Sequence, residues 1–169
     1  MANPTYNLIA SQVVGSGGAS SITFSSIPAT YTDLKVVASC RDTRAVVSNT
    51  LTIAFNTGGT YSSKLLEGSG SAASSSNDTT GAVADINSAS ATANTFSNTE
   101  IYIPNYTSSN AKSFSADSVS ETNGTTVYSS LIAGLWSGTG AITTIKLTPA
   151  VSASFVQYST FYLYGINNS

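Results

Sequence analysis

The chain has 169 residues, six basic and eight acidic side chains, a net charge of -2 and 41% hydrophobic content. With charged residues at only 8%, it has no basic stripe to attract phosphates, which argues against nucleic-acid binding. Histidine is absent, excluding histidine triads, histidine general bases and histidine metal ligands.

Serine and threonine make up about a third of the chain, so hydroxyls and amides rather than ions solubilise the surface. The apolar content and recurrent apolar runs are those of a folded chain. The length fits one domain that buries roughly two thirds of its unfolded surface. No apolar stretch approaches the ~20 residues of a membrane span. The start, "MANPTYNLIASQVV", lacks the basic and apolar regions of a signal peptide, so synthesis in a cytoplasm is expected. Cys40 is the only cysteine; it lies in an alternating run and reads as a small core residue.

In chain order, 5–14 is a predicted strand and "GSGG" (15–18) its turn. Segment 20–27 follows, with Ile22 and Phe24 on one face. Segment 33–41 sets Leu34, Val36, Ala38 and Cys40 against Lys35, Val37, Ser39 and Arg41. Segment 50–56 points Leu51, Ile53 and Phe55 inward, and "TGG" (57–59) is expected to close a hairpin onto 60–68. The Ser- and Gly-rich stretch 68–80 reads as an exposed loop. Only one short strand is expected within 81–94.

The second half alternates more clearly. Strand 95–103 ends where Pro104 removes a donor. Segment 112–121 starts with Phe114 and Ala116 on one face, but Val119 falls on the other, so a bulge is expected near Ser118. "NG" (123–124) then announces a hairpin into 125–136. Segment 142–149 and a terminal strand, 158–166, complete the set. The terminal strand is apolar on both faces, as in a central strand or one whose outer face meets another subunit. About ten short strands without helical periodicity predict a single all-β domain, a two-sheet sandwich of jelly-roll type, with its first and last strands close together.

Chemistry is sparse. The eight acidic residues are scattered, without calcium-loop spacing, and no lysine follows "GSGGAS" to make a phosphate loop. No catalytic residue, metal ligand or cofactor is expected. Two carboxylates meeting in space as a glycosidase pair is the one enzymatic arrangement left open. The charge cluster "SCRDTRA" (39–45) offers Arg41 and Arg44 as partner contacts, or as a solvated strand end with a local ion pair.

The aromatics carry the functional expectation. Phe24, Phe55, Phe114 and Phe161 occupy inward positions. Tyr102, Tyr128, Trp136, Tyr162 and Tyr164 lie on the parity opposite the apolar set of their strands, and Tyr106 follows Pro104 directly. Outward aromatics on a charge-poor surface point to contact with another protein. A second buried sheet face and sugar binding are the competing readings.

The opening "YNLIASQVVGSGGASSITFSSIPATYTDLKVVAS", the middle "SATANTFSNTEIYIPNYTSSNAKSFSADSVSE" and the close "LIAGLWSGTGAITTIKLTP" through "FVQYSTFYLYGI" resemble a family of small virion proteins of tailed bacteriophages, of the cyanophage and aquatic-phage type. The resemblance spans nearly the whole chain, and "IPNY" and "STFYLYGI" are its most distinctive parts. It implies a β-sandwich on the phage particle, commonly a trimer on the capsid surface, made in the host bacterial cytoplasm. A decoration or cement protein bound to the major capsid protein is the first expectation. A receptor-binding head or tail-fibre domain recognising a host glycan is the second, and an enzyme such as a depolymerase the third.

Overall fold

A computed structural model describes residues 5–124 and 127–167. Among them there is no helix, only twelve strands. These are β1 (Tyr6–Val13), β2 (Ile22–Phe24), β3 (Asp33–Cys40), β4 (Ser48–Phe55), β5 (Tyr61–Gly68), β6 (Ala73–Asp78), β7 (Ala82–Asn87), β8 (Ser97–Ile103), β9 (Lys112–Ser120), β10 (Tyr128–Trp136), β11 (Ile145–Pro149) and β12 (Thr160–Ile166). They form two antiparallel sheets, one of eight strands in the order β1-β12-β3-β8-β9-β10-β5-β6 and one of four in the order β2-β11-β4-β7. The first two residues of the expected strand 125–136 lie outside the described residues.

Side-chain alternation places the core between the sheets. Leu34, Val36, Ile101, Ile103 and Leu163 of the large sheet and Leu51, Ile53, Ile145 and Leu147 of the small sheet are fully buried in one apolar cluster. Phe55 of β4 links the sheets, meeting Phe114 of β9 and Trp136 of β10 edge-on with ring centroids 5.7 Å away in each case. Edge-to-face geometry adds to the area such rings bury. Cys40 is buried, and burial pushes its thiol up to about 12, so it is packing and not a nucleophile. The chain ends pair as expected, β1 against β12, with a bulge between Leu8 and Ala10.

Three local expectations are corrected. First, 57–59 makes no hairpin: β4 belongs to the small sheet and β5 to the large one, so the segment crosses the sandwich. Gly58 and Gly59 both have positive φ (82° and 80°), and a Cβ on Gly59 would lie 2.2 Å from the Trp136 indole nitrogen. That indole donates to the Gly58 carbonyl at 3.1 Å and pins the crossing. Second, 68–80 is not one loop, because β6 pairs with β5 at the sheet edge. Its serines hide it from a hydrophobicity reading: it buries no face and is held chiefly by the backbone ladder to β5. Third, β9 has no bulge; its burial alternates from Lys112 to Ser120 without a break. Val119 faces outward, and the inward positions beside it are the hydroxyls Ser118 and Ser120.

Candidate interaction surface

The registers of the large sheet lay its outer side chains in rows that cross the strands. One row runs Leu66, Leu131, Asp117, Glu100, Val37, Tyr162, from β5 to β12. The next runs Lys64, Ala133, Ser115, Tyr102, Lys35, Tyr164, Leu8. In the second row the short side chains of Ala133 and Ser115 sit between the long ones of Lys64 and Tyr102. The result is a trough of about 590 Å³, walled by Tyr6, Lys35 and Tyr102 on one side and by Lys64, Leu66 and Leu131 on the other.

This face is apolar for a surface that no element covers among the described residues. Tyr6, Leu8, Leu66 and Leu131 are each 54–59% exposed, and Val119, Leu135 and Tyr102 are exposed as well. Its charges cancel locally. The Lys35 ammonium lies 2.6 Å from a Glu100 oxygen, the one ion pair among the described residues, and that hydrogen bond raises the lysine's pKa. Exposed pairs of this kind add about 0–1 kcal/mol, so the pair orders the trough wall more than it stabilises the fold. The Tyr102 hydroxyl donates to Asp33 at 2.7 Å, which raises its own pKa and ties the side chain to the neighbouring β3. At the β1 end Tyr162 and Tyr164 stack (centroids 6.4 Å apart, 27° between planes), and Tyr6 meets Tyr164 edge-on at 6.5 Å.

Of the aromatics expected on this face, Tyr102, Tyr162 and Tyr164 are there, the last two half-buried by each other. Trp136 and Tyr128 are not. Both lie on the inward side of β10, with Trp136 3% exposed. The strand is apolar on both parities, and it is Leu131 and Leu135 that face out. Tyr106 is also buried, its hydroxyl donating to the Pro28 carbonyl and accepting from the Tyr31 amide.

The two arginines divide. Arg41 is buried, and its guanidinium donates to the carbonyls of Ala89, Ala91, Thr92 and Thr95, holding the segment after β7. Arg44 is half-buried and donates to the Asn49 side chain at 2.9 Å. The Asp42 carboxylate between them accepts from the Asn49 side chain at 2.6 Å and from the Arg44 amide at 3.0 Å. The cluster is thus internal scaffolding and not a solvated strand end. Tyr6, Leu8, Leu66, Leu131 and Leu135 belong to the outer face without having been singled out in the sequence. The usable signal was the doubled apolar parity of "SSLIAGLW".

Comparison with family models, with curated proteins and with solved structures returns no match.

Proposed function

We propose that the chain is an adhesive structural protein of a tailed-phage particle, a homotrimer that decorates the capsid surface and cements neighbouring copies of the major capsid protein. The observation that carries this reading is the outer face of the eight-stranded sheet, an apolar, charge-balanced surface that no element covers among the described residues. Such a face is stable in water chiefly when another protein covers it. The mechanism is area burial across subunit boundaries, with no covalent step.

The strand order supports a finer reading. Apart from the hairpins β5–β6 and β9–β10, each strand pairs with its counterpart from the other end of the chain: β1 with β12, β2 with β11, β3 with β8, and β4 with β7. A long antiparallel ribbon rolled into two sheets pairs its strands in this way, so we read the sandwich as a jelly roll with two inserted hairpins, an architecture common in viral capsids and lectins. Both hairpins extend the large sheet and carry the Leu66–Leu131 half of the trough.

The trough favours a second reading, glycan recognition by a tail or head fibre. Tyr6 and Tyr102 offer apolar ring faces beside the Lys35, Glu100 and Asp117 side chains. Imaging of the particle with labelled protein separates the two. Hundreds of copies on the head support decoration, whereas a few copies on the tail overturn it in favour of fibre-borne recognition.

A further inference from the structure

The cancellation of charge on the outer face stops at Asp117. This residue of β9 stands directly opposite Glu100 of β8, so two carboxylates face each other across one ladder. Like charges in that position repel. Lys35 answers only one of them. Its ammonium is bonded to Glu100 at 2.6 Å, and that hydrogen bond is the largest cause of its raised pKa, whereas Asp117 adds least. Lys64, the other cation of the trough, lies two strands from Asp117 and turns to the sheet edge, where it donates to the Asn77 side chain at 2.5 Å. Asp117 itself is exposed, and among the described residues its carboxylate has no hydrogen-bond or ion-pair partner.

An unused aromatic face adjoins it. Tyr102 lies two residues along β8 from Glu100, diagonal to Asp117 in the same ladder and within reach of a long side chain. The ring of Tyr6 is already taken, by the Lys35 ammonium at 6.0 Å and by Tyr164 edge-on. Among the described residues no ring or cation packs on Tyr102, which is tied by its hydroxyl alone. Asp117, Tyr102, Leu66 and Leu131 all line the trough of about 590 Å³, a volume in the range of clefts that hold a ligand.

We propose that the trough is a socket for an arginine side chain, presented between apolar residues by the protein that this face coats. The guanidinium pairs with the Asp117 carboxylate and lies over the Tyr102 ring, and the apolar neighbours cover Leu66 and Leu131. Arginine suits the place better than lysine. Its planar fork meets a carboxylate through two parallel hydrogen bonds and stacks on an aromatic face, and interfaces are enriched in it and depleted in lysine. The inference rests on the outer face being adhesive, and it names what that face grips. A pair enclosed by apolar walls is screened less than an exposed one, so the grip survives salt that loosens surface ion pairs.

A second copy of the chain is poorly equipped to supply this group. Arg41 and Lys112 are buried, Arg44 is half-buried and holds Asn49, and Lys35 and Lys64 belong to the trough. That leaves Lys146, whose neighbours across its two ladders are Thr23 and Ala54. Neither carries the apolar bulk to cover the leucines.

The test is NMR titration of the purified chain with the capped peptide acetyl-Leu-Arg-Leu-amide and with its citrulline analogue, which keeps the shape and lacks the charge. The arginine peptide is expected to shift the Asp117, Tyr102 and Leu131 amides and to bind about tenfold more tightly than the citrulline peptide. Asp117→Asn is expected to erase that preference, and Lys146→Gln to keep it. Asp117→Asn also relieves the repulsion from Glu100, so the variant should melt no lower than the wild type, which separates lost binding from lost folding. No shift at these amides, equal binding of the two peptides, or a preference that survives Asp117→Asn overturns the socket. So does a chain that ignores both peptides and shifts the same amides with maltotriose, which would make the trough a sugar site. Because the titration uses the free chain, it fails separately from the capsid reading: copies missing from the phage head would end that reading and leave the socket, and copies on the head without an arginine preference would do the reverse.

Discussion

Leu66 and Leu131 face each other across the β5–β10 ladder, both pointing outward and more than half exposed. In a monomer that arrangement leaves apolar area in water with no return, and it sits where the hairpins β5–β6 and β9–β10 widen the large sheet.

Replacing both leucines by serine therefore tests self-association without disturbing the fold. Exposed substitutions of this type change stability by about 0.5 kcal/mol or less. Light scattering of the wild-type chain is expected to give three times the monomer mass of 17.2 kDa, and the double variant the monomer mass. A wild-type monomer at micromolar concentration argues against the trimer. A variant that stays trimeric moves the contact elsewhere on the sheet.

Trp136 and Tyr102 are expected to behave differently. Trp136 packs on Phe55 and holds the crossing at Gly58, so Trp136→Ala should cost about 3–5 kcal/mol in urea unfolding. Tyr102 is 39% exposed and bonded to Asp33. Tyr102→Phe removes one partly exposed hydrogen bond and should cost about 0.5–1.5 kcal/mol. Equal costs at the two positions would contradict the placement of Trp136 in the core.

The contrast shows what the sequence made legible. Period-two alternation placed Phe24, Phe55 and Phe114 inside, because each lies in a strand with one apolar face. It misplaced Trp136 because β10 is apolar on both sides, and parity alone cannot say which side meets the other sheet. It missed β6 because a serine-rich edge strand is held by backbone pairing, to which composition is blind. Tyr106 and Arg41 looked like surface groups, yet each satisfies backbone groups in a distant segment. Those partners depend on tertiary contacts that no local spacing encodes.

The pH dependence of stability should carry the mark of Asp85. Burial first, and the Glu67 carboxyl second, push its folded value up to about 7, above the ordinary aspartate value of 3.8. Between about pH 4 and 7 the folded chain holds a proton that the unfolded chain has released, so stability falls as pH rises through that window. Burial raises Asp78, but the hydrogen bonds it accepts from Thr80, Ala82 and Gly81 together outweigh it and hold the carboxyl below its usual range, so Asp78 acts in the opposite sense and only at lower pH. Tm of the wild-type chain is expected to drop from pH 5 to pH 8 relative to Asp85→Asn. Parallel profiles for the two proteins would mean that Asp85 titrates normally.

Attachment to the capsid is the central claim, and its resistance to salt tests it most directly. With six basic and eight acidic residues in the whole chain, few ionic contacts are available to any interface. Screening shortens to about 3 Å at 1 M salt and weakens exposed ion pairs, whereas apolar burial does not weaken in this way. Particles carrying the protein are washed in about 1 M salt, and the copies that remain are counted beside particles reconstituted with Leu131→Asp or with Lys146→Gln. The account predicts that wild-type and Lys146→Gln copies stay bound and leave only in denaturant, and that Leu131→Asp binds poorly even at low salt. Loss of the wild-type protein to salt alone would show an electrostatic attachment and contradict the apolar face as the adhesive surface.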